Sequence, residues 1–180
     1  MRQNGVMRRL KAAWVTAALL LALPGYAKAQ DDAIGIPVGE TPPAVTIQDL
    51  NGDAVDLGMW IGKRPVIVEF WATWCPVCAE LLPRMEAARM KYGDRVEFLV
   101  VAVAVNQSPN TVRRHLSRHP MPFTFLWDVN GNATRAFQAP ATSYVVILDG
   151  QGTVVYTGIG ADQDIEAGLA QALNGVKRRG

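Results

Sequence analysis

The residues best suited to chemistry in this 180-residue chain are its two cysteines, Cys75 and Cys78, which lie in a single four-residue window. A disulfide used as a structural staple works by closing a long loop of the unfolded chain, and a C-x-x-C pair closes almost none. The pair is therefore poorly explained as a staple and better explained by reactivity. Around it runs Val68-Glu69-Phe70-Trp71-Ala72-Thr73-Trp74-Cys75-Pro76-Val77-Cys78, which reads as a strand, a turn and a helix start. Pro76 suits the first helical position, where its missing N–H costs nothing. The free N–H groups and dipole at that end favour negative charge, so a thiol at Cys75 should ionise readily. Cys78 lies about one turn further on, more buried, and within reach of Cys75.

Glu69 is the second informative residue. A carboxylate in the middle of an apolar strand is expensive to bury without a partner, so its pKa should rise. A group of that kind can exchange protons near neutral pH. The alternative is an ordinary Glu whose head reaches an edge or pairs with a lysine.

The elements that must hold these residues follow from periodicity. Val45–Ile47 and Ala54–Leu57 flank Asn51-Gly52, a hairpin signal. Pro65–Trp71 is a nearly continuous apolar run, as expected of a central strand. The spacing of Cys78, Leu81, Leu82, Met85, Ala88 and Tyr92 predicts a helix with one buried face, kinked at Pro83. Val96–Val105 predicts a second buried strand, and a helix from Ser108 or Pro109 to about Arg118 follows. Phe123–Leu126 is a third strand and Gly131–Phe137 a short helix. A second hairpin surrounds Asp149-Gly150-Gln151-Gly152, and a last helix is capped by Asp162 or Asp164. Strands alternating with helices imply an α/β sheet with helices on both faces.

The whole stretch resembles the active-site region of the thioredoxin superfamily, in particular its TlpA/ResA-like thiol–disulfide oxidoreductases. The Trp-Ala-Thr-Trp-Cys-Pro-x-Cys string carries the resemblance, with Glu80 and Pro83 after it, the hairpin before the first central strand, and Asp149–Gly152 before the last strand and helix. It covers about residues 41–174. It implies a thioredoxin-like fold with a central mixed sheet, helices on both faces and an N-terminal hairpin extension. By the same resemblance Cys75 is the nucleophile and Cys78 the resolver, and Glu69 stands where thioredoxin carries a buried acid. Trp74 and Pro76 would meet the partner, while Trp71 is core. The family's cis-proline facing the cysteines has Pro140 as its candidate, although the usual spacing points nearer Ser143. The acid that ResA-like proteins place three residues after the second cysteine is missing, since Leu81 stands there, and Glu80 should face solvent. No cofactor is implied. The implied partners are client protein disulfides and a membrane electron donor, with cytochrome c maturation or a copper-site protein as clients.

Composition removes other classes. Eighteen Lys and Arg face 16 Asp and Glu, but Arg2, Arg8, Arg9, Lys11 and Lys28 lie within residues 1–29, where there is no acid. The remainder is slightly acidic and lacks the basic field of a nucleic-acid binder. Residues 1–29 read as a signal peptide, with a basic start, an apolar run from Ala12 to Leu23 and Ala27-Lys28-Ala29 at the cleavage site. The expected location is the bacterial periplasm, soluble after cleavage near Ala29 or membrane-anchored if uncleaved. The expected division is a signal over 1–29, a flexible lead-in over 30–40, the domain over 41–175 and a basic tail over 176–180.

Two competitors remain. One is a copper metallochaperone using the cysteine pair; His115 and His119, spaced i,i+4, could add ligands, but Arg113, Arg114 and Arg118 beside them repel a cation. The other is a peroxidase of peroxiredoxin type, for which Thr73 two residues before Cys75 is the sole support.

Overall fold

The computed structural model describes residues 35–177. The signal segment over 1–29 and the last three residues of the basic tail lie outside that range. Seven strands form one mixed sheet in the order β2-β1-β5-β4-β3-β6-β7. They are β1 (Thr46–Asp49), β2 (Ala54–Asp56), β3 (Val66–Trp71), β4 (Glu97–Val103), β5 (Thr124–Asp128), β6 (Tyr144–Leu148) and β7 (Val154–Ile159). The helices are α1 (Pro76–Tyr92), α2 (Pro109–Arg118), α3 (Asn132–Ala136) and α4 (Ile165–Lys177). β3, β4 and β5 run parallel, while β6 pairs antiparallel with β3 and β1 antiparallel with β5. The fold is thioredoxin-like, as the resemblance implies.

β3 is the central strand, and all six of its residues are buried. A strand covered on both faces needs apolar side chains throughout, and Val66, Ile67, Val68, Phe70 and Trp71 supply them. Alternation sends Val68 and Phe70 to one face, against Phe137 of the turn after α3 and Tyr144 of β6. Ile67 points to the other, against Leu81 and Met85 of α1 and Leu169 of α4. α2 covers that same second face further along, through Val112. Helices therefore lie on both faces, unequally shared.

The termini of the elements follow the expected chemistry. Ser108 caps α2, its hydroxyl accepting from the Thr111 N–H at 3.2 Å, and Asp164 rather than Asp162 caps α4 through the Ala167 N–H at 2.9 Å. In the β1–β2 turn the Asp49 carboxylate accepts the amides of Asn51 and Asp53. Gly52 has φ 97°, which a residue with a side chain rarely adopts. α1 runs from Pro76 to Tyr92 with Pro83 inside it.

Two boundaries move. The lead-in over 30–40 is expected to be flexible, yet its described part is docked. Ile36 is buried and donates its N–H to the Tyr144 hydroxyl at 3.0 Å and to the Phe137 carbonyl at 3.2 Å. Gly39 and Glu40 then pair with Val154 on β7. The apolar Ile36 gains burial by this docking, and Gly35, at φ 78°, passes so close to Tyr144 that a Cβ there would force the ring to shift. At the other end α4 continues through Val176 and Lys177, which were expected to begin the tail.

Candidate active site

β3 delivers the chain to the site and α1 carries it away. After Trp71 the chain turns tightly, with the Cys75 N–H donating to the Ala72 carbonyl at 3.1 Å. Cys75 is the N-cap of α1, in extended conformation, and Pro76 opens the helix. The Cys75 sulfur accepts the N–H of Cys78 at 3.1 Å. The two cysteines are joined as a disulfide with Cα atoms 5.3 Å apart. Cys75 is 7% exposed and Cys78 1%. One sulfur thus lies just under the surface and the other is sealed. Reduced, Cys75 would keep its place at the end of a 17-residue helix, where an N–H donor and the helix dipole stabilise a thiolate.

Glu69 is 2% exposed on β3, between Val100 of β4 and Val145 of β6. Alternation puts it on the same face as Ile67 and Trp71, the face that α1 covers. Its Oε1 is buried with no hydrogen-bond partner. Desolvation alone pushes its pKa up to about 8. Among the described residues no lysine pairs with it, and its burial does not fit an edge-reaching Glu. It is a carboxyl that can stay protonated near neutral pH in the layer that also contains Cys78.

The surroundings divide the aromatic residues as expected. Trp71 is buried, packed edge-on against Phe125 and His115. Trp74 is 47% exposed and, with Pro76 and Val77, forms the rim beside Cys75. A cavity of about 340 Å³ opens next to Trp74, with Val105, Val129 and Pro140 on its walls. Leu81 is fully buried and Glu80 exposed, so neither supplies an acid to the site.

The proline expectation needs correction. Among the described residues there is no cis peptide bond, so Pro140 is not the family's cis-proline. Pro140 instead lines the cavity across from Trp74. The residue that enters β6 is Ser143, at φ 62° and 3% exposed. Its N–H donates to the Phe70 carbonyl at 2.7 Å, a bond no proline could make. Its hydroxyl accepts from the Gly160 N–H, and its carbonyl accepts from Gln163.

The histidines fall elsewhere. The rings of His115 on α2 and of His119 at its C-cap lie 5.0 Å apart, tilted at 43°, and His115 is held below its ordinary pKa by burial and by the charge of His119. Among the described residues no three His, Cys, Asp or Glu side chains come together in a metal-binding group.

Gln107 is a site residue that the sequence did not reveal. Its Oε1 accepts the Thr73 N–H at 2.9 Å, inside the turn before Cys75. A single glutamine in a loop 34 positions away carries no local signal of such a contact.

The Redoxin family model matches residues 37–173 of the chain. The chain belongs to the Redoxin family. It is 29% identical over 163 residues to the thioredoxin-like protein YneN of Bacillus subtilis, covering 86% of this chain and 89% of the relative. With the thiol–disulfide oxidoreductase ResA of Geobacillus thermodenitrificans it shares 29% identity over 168 residues, 90% of this chain and 95% of the relative. This Redoxin protein is thus a homologue of ResA-type thiol–disulfide oxidoreductases, with a bonded cysteine pair at the C-x-x-C spacing. Its fold is shared with the thioredoxin domain of a thiol–disulfide oxidoreductase from Bacteroides vulgatus at a TM-score of 0.61 and 17% identity, covering 79% of this chain and 97% of that one.

Proposed function

We propose that this Redoxin protein is an exported reductase of disulfides in client proteins. The observation that carries the reading is the asymmetric cysteine pair, a near-surface sulfur on a helix N-terminus bonded to a sealed one, with an unpartnered carboxyl in the layer beneath. The Cys75 thiolate attacks one sulfur of a client disulfide, forming a mixed disulfide and releasing the other client sulfur as a thiolate. Cys78 then gives up its proton, for which Glu69 is the acceptor in its ionised form, and attacks the Cys75 sulfur. The Cys75–Cys78 disulfide forms, and the second client sulfur leaves as a thiolate. Two electrons pass to the client in one cycle, and a membrane electron donor supplies two more to reduce the Cys75–Cys78 disulfide.

Trp74 and Pro76 offer an apolar platform to the client, and Pro140 stands on the opposite wall of the adjoining cavity. Export is supported by the basic, apolar and small-residue order of residues 1–29, with cleavage after Ala29 and the bacterial periplasm as destination. Among the described residues no helix is long and apolar enough to cross a membrane. Cytochrome c maturation and copper-site assembly are the client classes that the family resemblance favours.

The deciding experiment is the equilibrium reduction potential of the protein from Gln30 onward, with Cys75→Ser and Cys78→Ser as controls. A potential well below the poise of an oxidising compartment supports a reductase. A potential near that of strong oxidants overturns the direction, and absence of a reversible dithiol couple overturns the oxidoreductase reading itself.

A further inference from the structure

The turn that presents Cys75 hangs from the loop between β4 and α2. Its two corners are Thr73 and Trp74, and each is held by that loop. The Thr73 N–H donates to Gln107 Oε1 at 2.9 Å, and the Trp74 indole N–H donates to the Val105 carbonyl at 2.8 Å. Gln107 is itself tethered, its Nε2 donating to the Val103 carbonyl at the end of β4 at 2.7 Å. Asn106, between the two acceptors, has φ 53°. Asparagine adopts this left-handed conformation more readily than other residues with a side chain. Here it lets the carbonyl of one neighbour and the side chain of the other both meet the cysteine turn.

We infer that Gln107 is a positioning residue for Cys75, holding the turn so that the sulfur stays at the N-cap of α1 against the Cys78 N–H. The inference rests on the oxidoreductase reading and deepens it. Gln107 touches no reacting atom. Its amide acts through Thr73, which is two residues from the nucleophile and part of the tight turn closed by the Ala72–Cys75 bond. Without the amide acceptor the half-buried Thr73 N–H has no partner on the loop, and the turn loses one of its two supports.

The test compares wild type, Gln107→Leu and Gln107→Glu by the rate of thiol–disulfide exchange in a glutathione redox buffer, followed against pH. Hydrogen exchange at the Thr73 amide and the melting temperature are read in parallel. Gln107→Leu keeps the volume and removes both bonds. It should slow exchange at pH 7 by about fivefold, the worth of one net hydrogen bond, move the pH midpoint upward and deprotect the Thr73 amide. Gln107→Glu keeps an acceptor for Thr73, so amide protection and the high-pH plateau rate return while its charge acts on the midpoint alone. A Gln107→Leu protein that melts lower yet exchanges with the wild-type rate and pH profile would overturn the inference. So would identical behaviour of the Leu and Glu variants. A wild type with no exchange at all would overturn the oxidoreductase reading and this inference with it, and the wild-type trace alone decides that case.

Discussion

Cys78 donates its backbone N–H to the sulfur of Cys75 at 3.1 Å, so the proposed resolver also supplies a donor that would stabilise charge on its partner once the pair is reduced. The same helical turn fixes both functions, because the fourth residue of the window is at once the N3 amide and the second thiol. The two thiols differ in access and not in spacing.

That difference predicts a one-sided trap. Cys78→Ser should accumulate a mixed disulfide with a client protein, seen as a reducible higher band on a non-reducing gel. Cys75→Ser should give none, since the remaining sulfur is 1% exposed. Equal trapping by both variants would contradict the assignment of nucleophile and resolver.

Glu69 predicts a pH dependence with a definite sign. Its folded pKa, about 8, lies above the ordinary 4.5. The folded state therefore holds a proton that the unfolded state has released, and stability falls as pH rises from about 4.5 to about 8 before levelling. The loss is on the order of a few kcal/mol. Glu69→Gln should abolish that slope and be the more stable protein at pH 8, measured by denaturant unfolding of the oxidised form. It should also slow turnover of a disulfide substrate by about a hundredfold, the low end for loss of a general acid–base group. A variant with the wild-type slope would mean that Glu69 is not the titrating group.

Trp74 should matter for partners as well as for the turn that carries Cys75. Trp74→Ala removes a half-exposed platform and its bond to the Val105 carbonyl. The expected result is a KM for a protein disulfide raised about tenfold, with a melting temperature close to wild type, as surface changes usually leave stability within about 0.5 kcal/mol. An unchanged KM would remove Trp74 from the docking surface.

The docked lead-in gives a stability test remote from the cysteines. Gly35→Ala places a methyl group into the Tyr144 hydroxyl at a backbone angle that alanine avoids. It should destabilise by about 1–3 kcal/mol and make the segment before Thr41 more sensitive to protease, measured by thermal melting and limited digestion. Wild-type values for both would show that the segment contributes nothing to the fold.

Much of this was readable from residue order because it depends on local patterns. Continuous apolar runs marked β3 and β4, the Asn51-Gly52 turn marked the first hairpin, and Pro76 after Cys75 marked the start of α1. Glu69 stood out as the one charge in an apolar strand. What was not readable depends on contacts between distant parts. Ile36 docks against Tyr144, 108 positions away, and a short polar stretch gives no sign of the apolar slot awaiting it. Pro140 was the only proline in its loop, yet the loop places Ser143 at the entry to β6, where a backbone N–H is needed to meet Phe70. Gln107 looked like any loop glutamine until the fold brought Thr73 to it.

The burial of one sulfur has a consequence for traffic through the molecule. On the proposed reading, with Cys78 sealed and Cys75 just under the surface beside the exposed Trp74, a donor and an acceptor of electrons would come to the same small face. They would not be bound together, and the proposed reductase would then be a shuttle with a single berth, visited in alternation. Steady-state kinetics should then follow a ping-pong pattern, with each partner competing against the other for the protein in its wrong oxidation state.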